Sequence, residues 1–181
     1  MLLQISFKYW PNAVGVMNFL SAIFSRSAGI KPVAGIEVRN GDKFLYILLA
    51  ANINGLAWIH EFLSEHLIEK KPFPETIDHT DVFIIYSLYG KPLEQLLPNE
   101  RIGILPWEVN KLISVNWKNH KDKFVVLQLV TFQNKTYFNL HRLLRAIDKN
   151  CLLSKLSVES QASEKETFVS PSELLKSFEH S

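Results

Sequence analysis

Four groupings in this chain have residue types that could do chemistry: His60-Glu61 with His66, the string Asp78-His79-Thr80-Asp81, the lone Cys151, and a run of cations from Lys118 to Lys149. The two histidines superficially match a helical zinc motif. That motif needs imidazoles four residues apart on one helical face. A spacing of six turns the second ring roughly 240° around the helix from the first. One cysteine cannot build a thiolate-rich site either, so no metal is expected.

Asp78, His79, Thr80 and Asp81 put acid, base and hydroxyl side by side. Geometry makes an acid–base site, and neighbours along a polar loop rarely converge on one substrate. Cys151 falls near a predicted helix end, where the dipole does not lower a thiol pKa. No G-x-S-x-G elbow is present. Gly29, Gly35 and Gly41 are six apart, which fits neither a P-loop nor a dinucleotide fingerprint. No catalytic residue and no cofactor are therefore expected.

The cations leave two readings. Lys118, Lys121 and Lys123 precede an apolar run, and Lys135, His141, Arg142 and Arg145 follow it, with Tyr137 among them. Together they could hold phosphates while Tyr137 or Trp117 stacks a base. The plainer reading makes the same residues a solvated rim around a buried hairpin, with Phe138 in the core. Overall charge does not favour nucleic acid: 20 basic residues stand against 18 acidic ones, for a net charge of +2. A dedicated binder shows a strongly basic face.

Two features suggest a protein partner. Trp107, beside Pro106, is a candidate exposed anchor. Near the C-terminus Ser170, Pro171 and Glu173 form a helix start with a capping box. Leu174, Leu175 and Phe178 then share one apolar face. A helix this short is marginal alone, so it docks on its own domain or in a partner's groove.

The elements that position these residues follow from local patterning. Residues 2–9 alternate as a strand. Pro11 and Asn12 open an apolar helix to about Ser25. Its Ala13–Phe24 core is too short to span a bilayer. Residues 33–39 and 43–50 are strands joined by Asn40-Gly41-Asp42, a strong hairpin signal. Asn52 or Asn54 caps a helix at 55–69, stopped by Pro72 and Pro74, and 81–89 is a strand. This order predicts an α+β chain whose residues 1–90 form a ferredoxin-like βαββαβ part. Residues 91–153 extend it with short helices near 93–97 and after Pro106, then a β-hairpin (123–132 turning at Gln133-Asn134 into 135–138) and a helix from Leu140 to Lys149, sharing the core. Eight of the last 28 residues are serine, so 154–181 reads as a flexible tail with one short capped helix.

With 47% apolar and 21% charged residues, the composition excludes a disordered chain or a disulfide scaffold. A single cysteine suits a reducing, cytoplasmic compartment. The first expectation is a non-catalytic macromolecule-binding or assembly subunit acting through an apolar patch and the C-terminal helix. The second is an RNA- or DNA-binding accessory protein using 118–149. The third is a small hydrolase with dispersed residues such as His79 or His141.

Overall fold

The Asn40-Gly41 turn forms: Gly41 adopts φ 60°, a left-handed setting that glycine takes at little cost. The strands it joins pair antiparallel, with an irregularity between Val38 and Arg39. The computed structural model describes residues 2–6, 33–41, 43–114, 120–167 and 169–179. The predicted helix over 11–25, Trp117 and Lys118 lie outside them. The described chain is α+β. Its strands are β1 (Leu2–Ser6), β2 (Gly35–Asn40), β3 (Lys43–Ala50), β4 (Val82–Tyr86), β5 (Glu100–Ile104) and β6 (Phe124–Val130). Its α-helices are α1 (Ile53–Ile68), α2 (Lys135–Asp148) and α3 (Pro171–Glu179). Contacts divide the chain into two compact units. The described part of one is 33–103 with 120–124, and of the other 2–6, 104–114 and 125–179.

In the first unit β2, β3 and β4 are successive antiparallel neighbours, and β5 joins β4 in parallel. Tyr46, Ile47 and Leu48 of β3 are each 0% exposed. Successive side chains point to opposite faces, so β3 is buried on both. Asn52 caps α1 by accepting from the Gly55 N–H, and its Nδ2 donates to Asp81. A Cβ at Gly55 would stand 2.0 Å from the Asp81 carbonyl oxygen, so only glycine allows the helix to start this close. α1 ends with Lys70 at φ 52°, and the Lys71 N–H donates back to His66 O at 2.9 Å, a Schellman closure.

The predicted ferredoxin-like order does not form. In that order strand 2–9 separates 43–50 from 81–89, whereas β3 and β4 pair directly, Tyr46 opposite Tyr86. The cause is the segment 69–81, which carries the chain back along the sheet before β4 begins. Asn40 exchanges side-chain hydrogen bonds with the Phe73 backbone at the hairpin end. Ala51 N–H donates to Asp81 O at the other end. A ladder of rings holds the segment to α1: His79 on Trp58 (4.4 Å), Trp58 on Phe62 (4.9 Å), Phe62 on His66 (4.4 Å) and His66 on Phe73 (5.0 Å).

The same unit contains a buried ionic cluster. Glu100 is 0% exposed. Its Oε1 accepts from Tyr86 Oη (3.0 Å) and Lys91 Nζ (2.7 Å), and its Oε2 from Lys91 Nζ and the Leu97 N–H (both 2.7 Å). Burial, and then the Glu100 charge, hold the Tyr86 phenol well above its ordinary value. Tyr46 packs edge-on against Tyr86.

In the second unit β1 pairs in parallel with β6, Leu2 opposite Val126 through Ser6 opposite Val130. The predicted hairpin after β6 is not formed, because helix begins at Lys135. The Asn134 side chain accepts from the Thr136 and Tyr137 N–H groups, so Asn134 caps the helix in place of the expected Asn139. The segment 106–114, expected as a helix, is 3-10 helix. Residues 154–167, expected as part of a flexible tail, include most of two 3-10 turns (Leu153–Lys155 and Val158–Ser160), with Leu156, Ser160 and Ala162 buried. Thr131 and Phe132 N–H groups donate to Glu166 O. Small residues and backbone acceptors fix this segment where the serine content suggests freedom.

Removing one partner of a buried ion pair leaves the other uncompensated, at a cost of about 3 kcal/mol or more. Lys91→Met should therefore destabilise the chain by about 3 kcal/mol. The double variant Lys91→Met/Glu100→Leu should recover most of that loss, read from urea denaturation midpoints. A Lys91→Met midpoint equal to that of the parent chain would refute a structural role for the cluster.

Candidate functional site

α2 has two faces, and the polar one is turned inward. At roughly 100° per residue Phe138, His141, Arg142 and Arg145 fall on one side. Arg145 is 4% exposed. Its Nε donates to Ser160 O (2.7 Å), and its Nη1 pairs with Asp148 (2.7 Å). Arg142 donates from Nε to Gln161 Oε1 (3.0 Å) and lies over the Phe138 ring. His141 Nε2 accepts from the Ala162 N–H (3.2 Å), with its ring edge-on to Phe132. Lys135 pairs with Glu164 at 3.0 Å. The segment 157–164 is thus gripped by the cations of one helix.

The opposite face of α2 carries Tyr137, Leu140, Leu143, Leu144 and Ile147, which are 51, 48, 48, 56 and 67% exposed. Tyr137, Leu140, Leu144 and Ile147 follow the three-then-four spacing of a single helical stripe, with Leu143 beside it. Past the C-cap, Leu152 and Val158 are exposed as well. The helix ends on Asn150 at φ 48° with the Cys151 N–H donating to Ala146 O.

The expected nucleic-acid residues among those described are divided between the two units. Lys121 is exposed in the other unit, where Lys123 donates to Leu97 O (3.0 Å). Lys135, His141, Arg142 and Arg145 hold the 157–164 segment, and Tyr137 belongs to the apolar stripe. The expected protein-binding residues separate too. Leu174 is 2% exposed, and α3 packs on the 3-10 helix Pro106–Ser114. Phe178 is half-buried and Leu175 exposed. The capping box forms: Ser170 Oγ and N–H both donate to Glu173 Oε2, and the Glu173 N–H donates to Ser170 Oγ. These bonds hold the Glu173 carboxyl below its usual range. Trp107 is half-buried beneath Lys165. It borders an open cleft of about 310 Å³ shared with Gln128, Val169, Glu173 and Leu174.

Two of the histidines in the suspected groupings, His79 and His66, make structural contacts. His79 lies flat on Trp58, and its Nδ1 accepts from the Asp81 N–H. His66 Nδ1 donates to Phe62 O. No group of three or more His, Cys, Asp or Glu among the described residues could hold a metal ion. Nor is any helix among them long and apolar enough to cross a membrane. The leucine stripe of α2 is the feature that the sequence expectations missed. Its signal was present: apolar positions 137, 140, 143, 144 and 147 stand opposite 138, 141, 142 and 145. Periodicity displays both faces and does not say which one is buried.

Burial, and then the neighbouring Arg145 guanidinium, hold His141 below its ordinary value of 6.5. The folded state therefore favours the neutral ring, and on acidification the unfolded chain takes up this proton first. The resulting stability is present above pH 6.5 and is lost as pH falls from there through the lowered folded value. Urea midpoints measured at successive pH values should drop over that interval in the parent chain. They should drop less in His141→Gln, and equal slopes would contradict the coupling. Comparison with protein-family models, curated proteins and solved structures returns no match.

Proposed function

We propose that this chain is a non-catalytic, macromolecule-binding subunit that docks a protein partner on the outward stripe of α2. The observation that carries the reading is the row of half-exposed Tyr137, Leu140, Leu143, Leu144 and Ile147. Exposed apolar residues scattered singly are ordinary, whereas a contiguous apolar face marks an interaction site. An amphipathic partner helix reads such a stripe through anchors at the same spacing. The packing of α3 supports a cis role for that helix, since Leu174 is already buried on its own unit. A reducing, cytoplasmic setting suits the lone Cys151.

Magnitudes bound the interface. Covering the remaining half of each stripe residue gains roughly 1 kcal/mol, or about 5 kcal/mol in all. Association itself costs roughly 4–15 kcal/mol. The stripe alone therefore supports weak binding, and a durable partner must also cover Leu152 and Val158. The nucleic-acid reading draws less support, because Arg142 and Arg145 are engaged with the 160–161 backbone and side chain. A hydrolase draws less again, because His79 and His141 each accept a backbone N–H.

The double variant Leu140→Asp/Leu144→Asp should keep its far-ultraviolet circular dichroism and lose at least tenfold in retention of the protein that co-purifies with the parent chain. Equal recovery of the same proteins by both would overturn the reading. So would retention of nucleic acid, released by salt, in place of protein.

A further inference from the structure

The cleft beside Trp107 lies within the second unit and is independent of the α2 stripe. Its volume of about 310 Å³ is at the small end of the range for small-molecule sites. Trp107, Val169 and Leu174 line it, together with Gln128, 1% exposed. The Gln128 amide is fixed: its Nε2 donates to Thr167 O (2.8 Å) and Leu129 O (3.1 Å). The site is thus an open cleft with a mainly apolar lining and one fixed amide.

Two opposite charges stand at its border, and they differ in the hydrogen bonds that already hold them. Glu173 accepts two hydrogen bonds from Ser170 at the start of α3, where a helix N-terminus also favours a negative charge. Lys165 has no carboxylate within salt-bridge distance among the described residues. Its Nζ stands 5.7 Å from the Trp107 ring centroid, an electrostatic contact of the cation–π kind. Lys165 is therefore the border charge without a carboxylate partner among the described residues, and it lies beside the Trp107 ring, the largest aromatic surface lining the cleft.

The geometry points to a binding site for a small aromatic carboxylate, with its ring against the Trp107 indole and its carboxylate on Lys165. The flexible lysine stem lets the ammonium move from the indole face to the rim as the ring arrives. The cation then exchanges a π-face for a full negative charge, and the indole exchanges a cation for a stacked ring. Val169 and Leu174 also line the cleft, whose volume of about 310 Å³ suits a ligand of one or two fused rings.

The test uses the full chain with 2-naphthoate as the probe and neutral 2-naphthamide as comparator. Binding is followed by the indole N–H resonance of Trp107, assigned from its disappearance in Trp107→Phe, and by calorimetry. Saturable one-to-one binding of 2-naphthoate is expected, with a shift of that resonance. Lys165→Gln, a change at an exposed side chain, should weaken 2-naphthoate by roughly fivefold. It should leave 2-naphthamide unchanged. Absence of saturable binding overturns the assignment. An affinity for 2-naphthoate that Lys165→Gln does not alter, or equal binding of acid and amide by the parent chain, overturns it as well.

Discussion

The facing of α2 depends on one guanidinium. Arg145 is nearly inaccessible, and a buried charge costs several kcal/mol unless it is paired and hydrogen-bonded. The Ser160 carbonyl and Asp148 supply those bonds. With Arg145 inward, His141 and Arg142 must face the same way, and the leucines must face out. Leaving five apolar side chains half covered forgoes roughly 1 kcal/mol each, which is comparable in size to what a bonded guanidinium gains. Hydrophobicity alone therefore does not orient this helix. The supply of acceptors from 157–162 does.

That supply comes from a stretch whose composition resembles a linker. Ser157, Ser160 and Ser163 are poor core formers, yet each takes part in hydrogen bonds that build the local turns. The first unit solves its polar burial differently. There Glu100, Lys91 and Tyr86 meet in a closed cluster in which each carboxylate oxygen accepts two donors. The cluster resembles an acid–base site by residue type, but its acceptors are spent on its own neighbours. In the second unit the polar groups are spent on a segment, and an apolar surface is left over.

What could be read from the residues is local. The Asn40-Gly41 turn, the Asn52 cap and the Ser170–Glu173 box each involve hydrogen bonds closed within about four residues, so their signals sit in one short window. The α+β character followed from such windows. The strand order did not, because pairing β3 with β4 depends on the course of 69–81 and on rings contributed by α1. β5 (ERIGI) was missed since its alternation is brief and contains Gly103. At α2 two asparagines, Asn134 and Asn139, both suit a cap. Choosing the later one replaced the first turn of helix with a strand. The basic face was legible as a row of residue types, and its destination was not, since the segment that consumes it lies fifteen or more residues away.

The pairing of β1 with β6 links residues at opposite ends of most of the sequence, Leu2 with Val126. During synthesis the first strand emerges long before its neighbour exists, so its edge hydrogen bonds must wait on the ribosome's progress through the whole of the other unit. Separations of this kind slow folding, and an unpaired edge invites other chains meanwhile. Birth order thus hands this unit a kinetic handicap: β1 waits for β6 until the residues of the other unit have been made, whichever of the two is the more stable.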